Sequence, residues 1–240
     1  MLKEFLGQTF ISRDKSCPYL SGETSATQYY IGCVDDAAFA KLLERGWRRF
    51  GRLFFRPVCS ACAECKSVRV DPDQFEWSKS FRRVLNKGER LRLKIARPSI
   101  TDDRLKLYDE YHKERSTNRG WDAETTSSVE YYSAFVERSG NYEYEFSYYY
   151  LDRLVCVALV DMLPMGISAV YCYYDPDMRA LSLGTYSILR QLLFAKDRRL
   201  KRFYLGYWAR GNDSLSYKTR FKPYETLRGR PALDQSPVWE

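Results

Sequence analysis

The chain has 240 residues, of which 45% are hydrophobic and 29% charged, a balance that excludes a wholly disordered protein. Lys and Arg total 39 against 31 Asp and Glu, so the formal net charge of +8 favours a polyanionic partner. The opening stretch lacks the apolar core of a secretory signal peptide, and no window approaches the roughly 18 apolar residues of a membrane span. We therefore expect a cytoplasmic protein that does not enter a membrane.

The first predicted elements lie in residues 16–70, a segment rich in Cys, Gly and Arg. A helix is predicted to begin after Asp35 or Asp36, which can cap it, and to end at Gly46. Its apolar face consists of Phe39, Leu42 and Leu43. Short strands are predicted at residues 54–57 and 66–70, on either side of a cysteine-rich turn.

Three cysteines in that turn, Cys59, Cys62 and Cys65, are separated by two residues each. Thiolates at this spacing can converge on one soft metal centre, so the run predicts zinc or an iron–sulfur cluster. The fourth thiolate would come from a distance, with Cys17 the first candidate and Cys33 the second. The alternative is that these are small buried residues, or a site that has lost its metal. An odd total of 7 Cys argues against a complete disulfide framework.

Positive charge is concentrated in two segments. The first holds, against the single acid Glu89, the residues Lys79, Arg82, Arg83, Lys87, Arg90, Arg92, Lys94 and Arg97. The second consists of Lys196, Arg198, Arg199, Lys201 and Arg202, interrupted by Asp197. A helical charge run is usually a solvated face, but two runs of one sign in a chain with 16% aromatic residues favour nucleic-acid binding.

The pattern changes after Pro98. Helices are predicted from about residue 101 and over 127–140, followed by strands at 142–150, 154–162 and 167–174. A helix over 185–199, a strand over 202–207 and a short helix over 214–219 complete the chain. These elements predict an α+β fold with a mixed, mostly antiparallel sheet. Cys156 and Cys172 lie in the apolar strands, where we expect them to be core residues.

His112 is the only histidine, and it lies in a charged helical stretch where a surface position is expected. Hydrolysis by a Ser–His–Asp arrangement and metal catalysis by several histidines are therefore disfavoured. The sequence also lacks the glycine-rich loops that bind ATP or dinucleotides.

The C-terminal half carries a set of polar and aromatic motifs. They are Asp161 at the end of a strand, Ser168-Ala169-Val170-Tyr171, Ser182-Leu183-Gly184-Thr185-Tyr186, Tyr204-Leu205-Gly206-Tyr207 and Tyr217-Lys218-Thr219-Arg220-Phe221. A Ser-Leu-Gly-Thr turn at a helix start offers backbone N–H groups to a phosphate or carbonyl oxygen. Each motif alone is also compatible with an ordinary turn or core strand.

Taken together, these residues resemble the arginyl-tRNA–protein transferase family, and most closely its bacterial branch, the aspartate/glutamate leucyltransferases. The resemblance runs from about residue 16 to 229. Its most specific pieces, in order, are Cys17-Pro18-Tyr19-Leu20, Gly46-Trp47-Arg48-Arg49-Phe50-Gly51, the cysteine run, Asp161-Met162-Leu163-Pro164, Ser182-Leu183-Gly184-Thr185-Tyr186 and Tyr217-Lys218. The chain departs from the family at Arg115-Ser116, where Arg-His is frequent.

The resemblance implies two domains: an N-terminal cysteine-containing domain over residues 1–95 and an acyltransferase domain of the GNAT type over 96–240. It also implies transfer of leucine from leucyl-tRNA to proteins that begin with Asp or Glu, which marks them for degradation by the N-degron pathway. Eukaryotic relatives hold an iron–sulfur cluster on N-terminal cysteines. The resemblance thus implies Cys17, Cys59, Cys62 and Cys65 as ligands here, although transfer itself requires no cofactor.

The chemistry agrees with that implication, because the donor is an activated ester and needs only a proton acceptor and donors for the oxyanion. We expect Asp161 to act as the base or the amine anchor, with Tyr171 as a polar partner and Lys218 as a donor. Arg48 or Arg49 would bind the acidic first residue of the acceptor protein. Further substrate contacts are expected from Ser182, Gly184, Thr185, Tyr186, Tyr207 and Tyr217, and the 79–97 cluster would hold the tRNA acceptor stem.

Two alternatives stay open at this point. One is an enzyme of the same family that transfers arginine. The other is a non-catalytic RNA-binding or metal-sensing protein, in which the cysteine run is the functional centre and the second domain is a scaffold.

Overall fold

The computed structural model describes residues 9–119 and 125–240. The strands are β1 (Phe10–Ile11), β2 (Lys15–Ser16), β3 (Thr24–Ser25), β4 (Thr27–Ile31), β5 (Arg48–Phe50), β6 (Leu53–Pro57), β7 (Lys66–Val70), β8 (Arg92–Ala96), β9 (Glu143–Tyr150), β10 (Arg153–Leu163), β11 (Gly166–Tyr174), β12 (Arg202–Trp208) and β13 (Tyr224–Thr226). The helices are α1 (Asp36–Glu44), α2 (Lys79–Lys87), α3 (Asp102–Arg119), α4 (Ser128–Tyr131), α5 (Leu183–Asp197) and α6 (Asp213–Ser216). A π-helix spans Tyr132–Val136, and 3-10 turns span Pro176–Leu181 and Tyr217–Arg220.

The largest sheet has seven strands in the order β13-β7-β12-β11-β10-β9-β8. Among these described strands the β11–β12 pair is parallel and the other neighbours are antiparallel. The predicted meander is confirmed as β9, β10 and β11, and the predicted class, α+β with a mixed and mostly antiparallel sheet, is confirmed with it. The proposed domain boundary after residue 95 falls inside β8, and this sheet takes strands from both sides of it. The division into residues 1–95 and 96–240 stays a prediction.

A four-stranded sheet, in the order β1-β4-β6-β5, packs with α1 against one end of the large sheet. The predicted cap of α1 is confirmed, because Asp35 accepts a hydrogen bond of 2.7 Å from the backbone N–H of Ala38. Gly46 follows the helix with a φ of +81°, a conformation that favours glycine. Phe39 and Leu42 are fully buried, and burial of each such side chain contributes about 1.5–3 kcal/mol.

Two helices cover the two faces of the large sheet. Alternate residues of β10 divide between them, with Cys156 and Ala158 in the core beneath α5 and Val157 in the core beneath α3. This division follows from the two-residue period of a strand. Cys156 is fully buried, as expected, and Cys172 is partly buried beside it, with 3.8 Å between the sulfur atoms.

Some predictions differ from the structure in detail. The helix expected over 127–140 is shorter, because α4 passes into the π-helix and the backbone becomes extended at Glu137. The basic segment 79–97 contains α2 and β8, neither of which was predicted. Apolar residues nevertheless recur at helical spacing in α2, at Phe81, Val84 and Leu85, and alternate with charged residues in β8. The expectation of no signal peptide rests partly on residues 1–8, outside the described residues. Among the described helices, none is both long and apolar enough to cross a bilayer.

Candidate functional site

The parallel strands β11 and β12 separate near the middle of the large sheet. They pair at Gly166↔Arg202, Ile167↔Phe203 and Ser168↔Tyr204, and the register ends there. β11 continues to Tyr174 and β12 to Trp208. We name the gap between residues 169–174 and 205–208 the strand cleft. Backbone carbonyls at its edges need hydrogen-bond donors other than a neighbouring strand.

Two buried cations supply such donors. Arg48 of β5 donates from Nη2 to the carbonyl of Ala169, and Lys218 donates from Nζ to the carbonyl of Tyr207. Both side chains border Gly206, whose φ is +86°. A Cβ at that position would lie 3.4 Å from Lys218 Nζ and 3.5 Å from Arg48 Nη2. Two cations therefore line the strand cleft next to this glycine.

The electrostatics of the strand cleft are set mainly by burial. Burial, together with the positive charge of Arg48, lowers the pKa of Lys218 to about 7, while Cys65 acts in the opposite direction. Burial also lowers the pKa of Arg48, although nearby Tyr207 and Asp161 oppose this. The Nη1 atom of Arg48 is buried and has no hydrogen-bond partner within the described part of the chain. It is thus available to an oxygen atom of a ligand.

Arg49, the next residue of β5, is held by two carboxylates. It donates from Nε to Asp161 Oδ1 at 2.9 Å and from Nη2 to the same oxygen, and its Nη1 donates to the carbonyl of Gly51. Glu143 lies 3.9 Å from Arg49 Nη2 and directly opposite Asp161 in the β9–β10 register. The Nη1, Nη2 and Nε atoms of Arg49 are all engaged, in contrast to those of Arg48.

We name Asp161, Glu143 and Arg49 the carboxylate trio. It contains two acids and one arginine, so negative charge is in excess. Burial raises the pKa of Asp161 to about 6, although Arg49 opposes the increase. Burial alone would also raise the pKa of Glu143, but Arg49 and the backbone N–H of Ser139 lower it overall. Among the described residues, Asp161 Oδ2 and Glu143 Oε2 have no hydrogen-bond partner. A buried carboxylate oxygen in this state favours an N–H donor or a cation.

The four cysteines expected to bind a metal lie near one another. Burial, followed in decreasing order by Cys17, Cys59 and Cys62, raises the pKa of Cys65 to about 12, while Arg230 opposes the increase. Cys33 lies elsewhere and donates from Sγ to the carbonyl of Arg138. Within the described residues, however, no three His, Cys, Asp or Glu side chains are arranged to hold a metal ion. The metal site stays a prediction, with Cys17 better placed than Cys33.

His112 is not the surface residue that its charged segment indicates. Its Nε2 is 2.6 Å from the hydroxyl of Tyr171, and its ring lies 3.9 Å from that of Tyr108 at a steep angle. Burial lowers its pKa. Tyr171 also packs on Phe50 and Phe135, so its hydroxyl belongs to the α3 side of the sheet.

The start of α5 lies beside β11. Ser182 precedes the helix with a φ of +52° and makes no side-chain cap hydrogen bond. A Cβ on Gly184 would lie 3.2 Å from the ring of Tyr174, so glycine permits this close approach. Tyr186 is different: it is buried in the main core, with its ring 5.5 Å from that of Tyr148.

Comparison with known proteins identifies the family. Residues 103–228 match the family model described as "Arginine-tRNA-protein transferase, C terminus", and residues 15–83 match the corresponding "N terminus". The chain belongs to the arginine-tRNA-protein transferase family. The resemblance inferred from the motifs is thereby confirmed.

Relatives of this transferase chain align over nearly its whole length. A protein of Campylobacter jejuni subsp. jejuni serotype O:6 named "Aspartate/glutamate leucyltransferase" is 40% identical over 233 residues, covering 96% of this chain and 98% of the relative. Proteins of the same name from Helicobacter hepaticus and Pseudomonas savastanoi pv. phaseolicola are 39% and 31% identical, covering 96% and 91% of this chain and 96% and 92% of theirs.

Among solved structures, "L-PGS from Bacillus licheniformis" matches with a TM-score of 0.50 and 14% identity, covering 86% of this chain and 82% of that one. A C-terminal domain (DUF2156) from Agrobacterium fabrum matches with a TM-score of 0.50 and 12% identity, covering 89% and 82%. At these identities the likeness concerns the fold.

In this transferase the predicted site residues fall into separate groups. Arg48, Tyr207, Tyr217 and Lys218 gather at the strand cleft, where the Tyr207 hydroxyl donates to the carbonyl of Gly46 at 2.6 Å. Asp161 and Arg49 belong, together with Glu143, to the adjoining carboxylate trio. Ser182, Gly184 and Thr185 lie at the start of α5, while Tyr171 faces His112 and Tyr186 is in the core. The roles assigned to all of them stay predictions.

Sequence reasoning missed Glu143. The signal was present, because Glu143 is an acid at the start of an aromatic strand, Tyr142-Glu143-Tyr144-Glu145-Phe146. The hairpin that follows brings it opposite Asp161, which only the register reveals.

Proposed function

We propose that this chain transfers leucine from leucyl-tRNA to the α-amine of proteins that begin with Asp or Glu. The observation that carries the proposal is the strand cleft, whose two buried cations adjoin the carboxylate trio. Two oxygen atoms of that trio have no partner in the described part of the chain. The aspartate/glutamate leucyltransferases that align over more than nine-tenths of the chain support it. We place the activity in the cytoplasm, where charged tRNA is available, and in the N-degron pathway that the family resemblance implies.

The reaction needs no further activation of the acyl group. The α-amine nitrogen attacks the ester carbonyl carbon, the carbonyl oxygen becomes an oxyanion, and the bond to the ribose oxygen of the tRNA then breaks. The nitrogen loses a proton, and the ribose oxygen gains one. A site for this reaction therefore needs donors for the oxyanion and an acceptor for the proton.

The strand cleft can supply the donors. Arg48 Nη1 has no partner in the described structure, and Lys218, with a pKa of about 7, exchanges its proton near neutral pH. We assign these two side chains to the ester oxygen or to the terminal phosphate of the tRNA. Because Arg49 is committed to Asp161 and Gly51, Arg48 is the better candidate of the two arginines for any direct contact with substrate.

The carboxylate trio can supply the acceptor. Asp161 Oδ2 has no partner among the residues that the structure describes. The pKa of Asp161, about 6, lies close enough to that of an α-amine for proton transfer to be easy in either direction. We assign Asp161 to hold the amine or take its proton. A fold of the GNAT type, which the resemblance implies, accords with the separation of β11 and β12.

The tRNA acceptor stem would lie on the basic segment 79–97. Its arginines and lysines are all exposed, and α2 packs against α5, whose start borders the strand cleft. Lys87 Nζ donates to the carbonyl of Ala180, just before α5, which ties the basic helix to the site. Contacts of this kind would make binding of tRNA strongly dependent on salt.

The four neighbouring cysteines have the ligand type that an iron–sulfur cluster or zinc requires. Their sulfur atoms are not at the distances of a metal site within the described residues. We propose Cys17, Cys59, Cys62 and Cys65 as its ligands. When bound, the metal would hold the segment around Cys17 against the turn at residues 59–65. An absorption spectrum and metal analysis of protein purified without oxygen test this, and a protein free of iron and zinc would contradict it.

A transfer assay tests the main proposal. Radiolabelled leucine and arginine, each charged on tRNA, are offered separately to a peptide that begins with Asp. Incorporation of leucine supports the proposal, and incorporation of arginine would assign the chain to the arginine-transferring activity. Incorporation of neither, with binding of tRNA intact, would favour the non-catalytic RNA-binding alternative.

A further inference from the structure

A cavity of about 530 Å³ has Glu143 of the carboxylate trio in its lining. We name it the arginine cavity. Its lining includes Arg52, Arg97 and Arg138, which are exposed, together with Cys33, Tyr132 and the buried Glu143. The volume lies within the range of about 300–1,000 Å³ typical of ligand sites and suits the first residues of a peptide.

The lining combines two acids, Glu137 and Glu143, with three arginines. Glu143 is 1% exposed, and its Oε2 atom has no partner among the described residues. Its other oxygen, Oε1, accepts from the backbone N–H of Ser139 at 2.7 Å and of Gly140 at 3.0 Å. The carboxylate is thus held in place through Oε1. Its Oε2 atom is left to accept a hydrogen bond from a ligand in the cavity.

Arg97 is the most available of the three cations. Arg52 lies 3.6 Å from Glu137, and Arg138 donates to the side chain of Asn141. Arg97 has no acidic partner in the described structure; its Nη1 donates to the carbonyls of Asn141 and Glu143, and its guanidinium lies 4.1 Å from the ring centre of Tyr144. A guanidinium held in this way is ready for a carboxylate.

We propose that the arginine cavity binds the N-terminus of the acceptor protein, with the α-amine at Glu143 and the acidic first side chain at Arg97. The inference rests on the proposed function and locates its acceptor. It assigns Arg97 to the acceptor protein, so that the other basic residues of the segment 79–97 are left for the tRNA. Glu143 faces Asp161 across neighbouring strands, and Asp161 in turn pairs with Ser168, where the strand cleft begins. Glu143 is therefore about two strand spacings, roughly 10 Å, from the start of the cleft, and Asp161 lies between them. Arg48 is left for the RNA-borne acyl group.

Binding of labelled peptides tests the inference without requiring transfer. Peptides beginning with Asp, Asn and N-acetyl-Asp, labelled at their C-terminus, are titrated by fluorescence anisotropy with and without deacylated tRNA. Arg97→Gln is compared with the control Arg228→Gln, because Arg228 is exposed and lies outside both the arginine cavity and the basic segment 79–97. Because a charged hydrogen bond is lost, we expect Arg97→Gln to raise the Kd for the Asp peptide by about ten- to a hundredfold.

The control variant should bind the Asp peptide as the wild type does, and N-acetylation should abolish binding. Three results would overturn the inference. The wild type could fail to bind the Asp peptide both with and without tRNA, or Arg97→Gln could bind this peptide with unchanged affinity. The third is that Arg97→Gln loses the same affinity for the Asn peptide as for the Asp peptide. Wild-type protein that binds the Asp peptide but fails to transfer leucine would instead contradict the proposed function. A variant that transfers normally with an unchanged KM for the peptide would contradict the inference alone.

Discussion

The low pKa of Lys218 predicts a stability profile that depends on pH in a specific way. Burial lowers the pKa of this side chain from an ordinary value of 10.5 to about 7 in the folded protein. Because the folded pKa is the lower one, the unfolded chain holds more protons between pH 7 and 10.5, and the free energy of unfolding rises with pH through this window. Below pH 7 the amine is charged in both states and contributes no further dependence.

Replacing Lys218 with Met removes this titration and keeps a similar volume. Between pH 7 and 9.5, the free energy of unfolding of the wild type should rise by about 3 kcal/mol relative to Lys218→Met. Urea unfolding at pH 7, 8 and 9.5 measures the difference, and effects of the other titrating groups cancel between the two proteins. Lys113→Met, at an exposed position on α3, is the control and should parallel the wild type.

Parallel profiles for the wild type and Lys218→Met would refute the reasoning. They would mean that Lys218 stays charged in the folded protein up to pH 9.5, so the environment of the strand cleft would not be one that releases its proton near neutrality.

Three further outcomes follow from the site. Asp161→Asn should lower turnover by about 10²- to 10⁴-fold with an unchanged KM for leucyl-tRNA, in a steady-state transfer assay; normal turnover would exclude Asp161 as the base. Gly206→Ala should lower the free energy of unfolding in urea by about 1 kcal/mol or more, since its φ of +86° opposes a side chain; a neutral effect would contradict this backbone conformation at the strand cleft. For tRNA binding, the double variant Arg82→Ala/Arg83→Ala should flatten the slope of log K against log salt by about 0.9 per lost phosphate contact, whereas an unchanged slope would place the RNA elsewhere.

Local patterns were enough for the elements whose apolar residues follow one period. The meander and α5 were predicted within a few residues, because alternation and the 3.6-residue period are local properties. α2 and β8 were not predicted although their apolar residues follow the helical and alternating periods, because their segment was interpreted from its charge alone. The π-helix after α4 escaped it because no local rule distinguishes that turn from an ordinary helical one.

Individual site residues were harder to resolve than elements. Arg48 and Arg49 are adjacent and chemically identical, so the sequence offered no reason to separate them. The structure does, since Arg49 is bound by Asp161 while Arg48 keeps a nitrogen without a partner among the described residues. Similarly, Cys17 and Cys33 were both candidates for a fourth thiolate, and only the folded chain brings Cys17 to the cysteine run.

The sequence by itself determined the family, the α+β class and most of the chemically active residue types, because motifs and periodicity are encoded along the chain. Tertiary structure alone decided which of those side chains meet: where β11 leaves β12, that Glu143 faces Asp161, and that Lys218 is buried beside Arg48. The physical reason is that burial and the pairing of charges depend on residues far apart in sequence, and both set whether a side chain is neutral, committed to a partner or ready for a substrate.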